Sequence, residues 1–226
     1  VKKSFHPIAW LLPGEAGLIS PAYTLLITSV LAGLTFILPF FFENVQGRST
    51  DIAGLLLAIP SVAIIVVGPI SGALSDRYGT RLPMICAATI TTLSLYLLAH
   101  FTPGTSLIFA IGTILFLGIG IGIYFPSNMS QILGAAPRDC EGVASGVMIT
   151  TRYIGGMVGI AIFGTVATAV PAGIAAGRHL LSLPPAVLSE GYTAAFTLGM
   201  IFCIVAAVIS AAISDKRKSL NKESPQ

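Results

Sequence analysis

The residues able to do chemistry in this chain are few, and their placement limits what that chemistry is. The stretch Gly72, Ala73, Leu74, Ser75, Asp76, Arg77, Tyr78, Gly79, Thr80, Arg81 gathers one carboxylate and two guanidinium groups around a glycine. Gly79 can take the positive φ that a tight turn needs, Asp76 can meet the backbone donors of a helix start, and Arg77 and Arg81 can meet carboxylates or lipid phosphates. Arg152 stands alone inside an apolar run, where an ionised side chain usually marks a pathway. Phe36, Tyr124 and Asn128 join it as side chains fit to line a small-molecule path, although Phe and Tyr in such runs commonly serve packing.

Most other chemistries lack their residues. No Gly-rich phosphate loop ending in Lys-Ser or Lys-Thr occurs, and the lysines (Lys2, Lys3, Lys216, Lys218, Lys222) sit at the two ends, so ATP hydrolysis is not expected. Gly118, Gly120 and Gly122 lie within an apolar run with no strand before them, which reads as helix packing and not as a dinucleotide loop. His6, His100 and His179 fall in three separate places and no acid stands at the centre of an apolar run, so neither a metal nor a carboxylate pair is indicated. No serine or threonine nucleophile has an evident base, and no cofactor is implied. Cys86, Cys140 and Cys203 have no disulfide or metal spacing. A net charge of +3 without a basic face argues against nucleic acid.

The elements that must position these residues are membrane spans. Of the 226 residues 54% are hydrophobic and only 9% are Asp, Glu, Lys or Arg, against about 25% in a soluble domain. Mean hydropathy is +0.90. A span needs about 20 apolar residues, and six windows qualify: Pro21 to Phe42, Ile52 to Leu74, Leu82 to Leu98, Ser106 to Tyr124 or beyond, Gly142 to Val170, and Tyr192 to Ile213. The chain thus divides into a linker over 1–20, a bundle over 21–213 and a basic tail over 214–226.

Six spans put both termini on one face. That face collects nine basic residues (Lys2, Lys3, Arg77, Arg81, Arg138, Lys216, Arg217, Lys218, Lys222) and the other only Arg48 and Arg178. The positive-inside rule then places both termini in the cytoplasm, with the protein in the cell membrane. On this topology Cys140, in a cytoplasmic joint, should react with an impermeant thiol reagent while Cys86 and Cys203, within spans, react slowly.

Small residues and breakers mark the helix faces. Gly118 with Gly122, Gly142 with Gly146, and Gly155 with Gly159 share the four-residue spacing that lets helix backbones approach, in a rigid bundle or between sliding helices alike. Pro60 and Pro69 in the second span and Pro126 at the end of the fourth each remove a backbone hydrogen bond, as kinked membrane helices tolerate.

Gly72, Leu74, Asp76, Arg77, Gly79 and Arg81, placed after the second of six spans, resemble the Gly-x-Leu-x-Asp-Arg-x-Gly-x-Arg signature of the major facilitator superfamily. The passages Gly54 to Pro60 into Pro69 and Gly72, Gly118 to Pro126, Gly142 to Gly146, and Arg152 to Ala161 are similar to the C-terminal half of that superfamily's fourteen-helix drug:proton antiporters. The resemblance covers about residues 20 to 215. It implies a proton-coupled exporter of hydrophobic, often cationic compounds. The fifth span has no proline beside Gly155, Gly156 and Gly159, unlike the fifth helix of an antiporter's N-terminal half.

The expected fold is therefore an all-α membrane protein whose six helices form one half of a major facilitator bundle. Such halves hold a substrate between them near the midplane, so the expected partners are the lipid bilayer, a small molecule, protons, and either the missing N-terminal half or a second copy. The alternative is a non-transporting membrane subunit or truncated remnant that associates with partner helices. A six-helix channel is disfavoured because no span carries a ring-forming acid. Arg152 admits two depths: counted from Gly142 it lies about 15 Å in, at mid-membrane, while counted back from Val170 it reaches the interface and only snorkels.

Overall fold

The computed structural model describes residues 19–135, 140–175 and 184–212. Among these, six helices follow one another: α1 (Ile19–Phe40), α2 (Thr50–Tyr78), α3 (Arg81–Ala99), α4 (Leu107–Ala135), α5 (Glu141–Ala175) and α6 (Pro185–Ala212). All six are long and apolar enough to cross a membrane. The linker over 1–18, the tail over 213–226 and the joint residues Arg138 and Arg178 lie outside the described residues.

The helices match the six expected windows and overrun several of them. α1 continues as a π-helical turn over Phe41–Val45, which brings Phe41, Phe42 and Val45 all into the core. The Phe41 ring makes edge contacts with Tyr192 (5.4 Å) and Phe196 (5.6 Å) of α6, fixing this end of α1. α4, expected to reach Tyr124 or beyond, runs through Pro126 to Ala135. Proline tolerance has a visible cause here: the hydroxyls of Ser127 (2.8 Å) and of Ser71 on α2 (3.0 Å) both donate to the Ile123 carbonyl, in the turn that the ring disturbs. The joint expected over Pro171 to Gly191 is shorter, because α5 carries on past Pro171 and α6 begins at Pro185, a residue suited to a first helical turn.

α1 packs against α5 and α6, α2 against α4, α3 against α4 and α6, and α5 against α6. α3 and α6 form the back of the bundle. α2 and α5 flank the front, where only 17% of the most apolar window of either is buried, against 56% for α1. Two of the three glycine pairs make these contacts. Gly118 faces Pro60 and Ala63 and Gly122 faces Ile64 and Val67, seating α4 on α2. Gly155 faces Leu25 and Thr28 and Gly159 faces the Ser29 backbone, seating α5 on α1 so closely that a Cβ at either glycine would collide. Gly142 and Gly146 meet no described atom within 4 Å.

Candidate functional site

The signature joint is built as its residue types require. The Gly79 N–H donates to the Ser75 carbonyl at 3.1 Å and its φ of +91° turns the chain into α3. Asp76 and Arg77 stand on the exposed side of the last turn of α2, with the Arg77 guanidinium 5.4 Å from the Tyr78 ring. Arg81, in the first turn of α3, donates to the Ala211 carbonyl at the end of α6, where unpaired carbonyls and the helix dipole favour a cation. Gly72 faces Pro126 of α4 across 3.7 Å, measured from where its Cβ would stand.

Behind this joint lies a buried polar seam. The Thr24 hydroxyl is 3.0 Å from Asn128 Oδ1, Asn128 Nδ2 donates to the Tyr124 hydroxyl at 3.4 Å, and Gln131 Nε2 donates to Ser20 Oγ at 3.2 Å. Thr80 of the joint reaches Gln131 Oε1 at 3.5 Å, and the Tyr23 hydroxyl donates to the Met84 carbonyl at 3.0 Å. Ser71 and Ser75 of α2 both meet Ser127, at 3.1 and 2.9 Å. The seam joins α1, α2, α3 and α4 at the signature end of the bundle. Tyr124 and Asn128, expected on the path, are buried in this seam. Sequence reasoning missed Ser20, Thr24, Ser71, Ser75, Ser127 and Gln131; the available signal was polar pairs four residues apart inside apolar runs, as in Ser71 with Ser75.

Away from the seam, the front faces of α1, α2, α4 and α5 enclose a groove of about 800 Å³. Its walls are apolar, with Leu31, Leu57, Ile121 and Ile160 among them, and its polar groups are Thr28, Thr35, Ser61, Arg152 and Tyr153. Arg152 is the only ionisable group of this lining with a formal charge at neutral pH. Its guanidinium lies over the Phe125 ring, 5.0 Å from the centroid. At 1.5 Å per residue Arg152 stands roughly 16 Å along α5 from Glu141, Phe125 roughly 15 Å from the end of α4, and Thr28 roughly 14 Å from the start of α1, so the three share one depth. Phe36 lines this groove and also a second cavity of about 280 Å³ between α1, α5 and α6. Of the path candidates, the structure thus brings Arg152 and Phe36 to the groove and leaves Tyr124 and Asn128 behind it.

Cys203 is buried within α6. Cys140, immediately before α5, is buried at 3% exposure, while Cys86 on α3 is exposed on the flank of the bundle. A place in a joint is not a place at the surface, and a place in a span is not a place in the core. Among the described residues, no group of three or more His, Cys, Asp or Glu could hold a metal.

Comparisons with known proteins bear on the fold and the family. The structure is similar to a bacterial homologue of the human drug peptide transporters PepT1 and PepT2, with a TM-score of 0.70 and 16% identity over 94% of this chain and 43% of that one. It is likewise similar to a bacterial homologue of the human lysosomal transporter Spinster, with a TM-score of 0.70 and 17% identity over 92% of this chain and 49% of that one. In sequence the chain is 27% identical to the riboflavin transporter RibZ of Clostridioides difficile, over 58% of this chain and 28% of the relative. It is 29% identical to the multidrug resistance protein Stp of Mycobacterium tuberculosis, over 61% of this chain and 25% of the relative. With the tetracenomycin C resistance and export protein of Streptomyces glaucescens it shares 25% identity over 82% of this chain and 41% of the relative. The matches span less than half the length of each relative. A sequence profile of the Major Facilitator Superfamily matches residues 5–160. This multi-pass membrane chain, with the six helices of one half-bundle, belongs to the major facilitator superfamily.

Proposed function

We propose that the chain is the C-terminal half of a secondary transporter that exports drugs or hydrophobic metabolites, and that the groove between α1, α2, α4 and α5 is its wall of the substrate path. The observation that carries this reading is Arg152, the single charge of a largely apolar concave face whose flanking helices, α2 and α5, are the least buried of the six. A lone half offers one wall, so a second half completes the site, either in the same natural chain or as another copy. The described groove lining contains no acid. Both termini face the cytoplasm of the cell membrane, following the nine-to-two division of basic residues.

The test begins with the natural gene product, whose mass should be about twice the 23.4 kDa of this chain if both halves are fused. Reconstituted in vesicles, that product should lose most substrate flux on Asp76→Asn while its amount in the membrane is unchanged. Asn keeps the shape but removes the charge suited to a facing helix start in the other half. Full flux by Asp76→Asn would reduce the signature joint to a simple flank, and a natural product of half size that moves nothing would favour the non-transporting subunit.

A further inference from the structure

The groove's electrostatics name a class of substrate. Arg152 is its single charge, and two of its four neutral hydroxyls are already committed: Thr28 donates to the Thr24 carbonyl at 2.7 Å and Thr35 to the Leu31 carbonyl at 2.8 Å. Both point their protons back into their own helix, which leaves the hydroxyls of Ser61 and Tyr153 and the guanidinium as donors to the groove, and of these only the guanidinium is charged. Phe125 covers one face of that guanidinium and leaves its N–H edge for a ligand; among the described residues no hydrogen bond to Arg152 is formed. Among the described residues no acid lines the groove, and the one acid of α5, Glu141, stands at its start. α1 and α4 carry none within their helical ranges, and α2 carries its two, Asp51 and Asp76, only at the ends. The position is also firm, because Gly155, one turn further along α5, is seated directly on Leu25 and Thr28 of α1.

We propose that Arg152, backed by Phe125, is a specificity-determining residue that makes this wall select hydrophobic anions, such as aromatic carboxylates, and reject hydrophobic cations of the same shape. The proposal rests on the groove being the substrate path. It departs from the cationic substrates that the family resemblance implies. A carboxylate on the guanidinium edge forms charge-assisted bonds, whereas an ammonium there meets a like charge. The apolar walls hold the ring whatever its head group.

The test measures binding of naphthalene and anthracene derivatives, each as carboxylate, carboxamide and methylammonium, to the purified natural gene product by equilibrium dialysis. The readout is the ratio of carboxylate to methylammonium affinity. Arg152→Gln should lower that ratio about ten- to a hundredfold, the range for losing a hydrogen bond to a charged group, while carboxamide binding changes little. Arg152→Lys should keep part of the preference, since the charge stays and the planar fork goes. Phe125→Leu should lower carboxylate affinity by a smaller factor. An unchanged ratio in Arg152→Gln overturns the proposal, and so does an equal loss across all three head groups, which would make Arg152 structural. If none of the probes binds the unaltered protein, the groove is not the substrate path and both readings fall.

Discussion

Two glycine pairs with the same four-residue spacing stand on α5, and they do opposite things. Gly155 and Gly159 press against the backbone of α1, whereas Gly142 and Gly146, nearer the signature end, face open space within 4 Å. Spacing states that a helix offers a shallow face; it does not state which partner takes it. In the first pair the partner lies within this half. For the second, the half-transporter reading supplies a partner in the other half.

Replacing a glycine of the inner pair should have the largest effect. Gly159→Leu would drive a side chain into the Ser29 backbone and separate α1 from α5, so thermal unfolding of the purified protein should show a loss of about 3 kcal/mol or more, or no folded protein at all. Gly146→Leu should leave the unfolding temperature of the isolated bundle nearly unchanged but lower transport by the complete protein. If Gly146→Leu unfolds the bundle as Gly159→Leu does, the contrast between the pairs is lost.

The polar seam sharpens the same contrast, because it too joins helices inside this half. Thr24→Val and Asn128→Leu should each cost about 1 kcal/mol, with a coupling near 0.6 kcal/mol in a double-mutant cycle between them. Strict additivity would show that the Thr24 to Asn128 contact contributes nothing. Smallest in energy is a topology probe. Gly104→Cys, in the exposed turn between α3 and α4, should be labelled by an impermeant thiol reagent from outside intact cells without disturbing the fold. Labelling only after the cells are opened would reverse the orientation.

The six spans were legible because length and apolarity alone decide a crossing, and the signature joint because its turn demands particular residue types. Helix ends were less so. The sequence left the end of α4 open past Tyr124, and Ser71, distant in sequence, supplies a hydroxyl to the turn that Pro126 disturbs. Tyr124 and Asn128 looked like path residues because polarity in a span suggests a ligand, yet their polarity is spent on α1 through Thr24. Arg152 carried two depths in the sequence; its place beside Phe125 in the groove depends on how α4 and α5 stand across the front of the bundle, which no local pattern encodes. Apolarity also says nothing about the medium: α2 and α6 share a mean hydropathy of 2.4 in their most apolar windows, yet α2 lines the groove and α6 the back.

That last distinction allows the most direct test. Met157 on the groove and Val208 on α6 are both exposed apolar residues, at 71% and 65%, and by exposure alone both would face lipid. In the natural gene product with Cys86, Cys140 and Cys203 replaced by alanine, Met157→Cys should react in membranes with a hydrophilic maleimide, because water enters a substrate path. Val208→Cys should stay unlabelled in lipid. Equal labelling of the two, or labelling of Val208→Cys alone, would contradict the assignment of the front face of α1, α2, α4 and α5 to a substrate path.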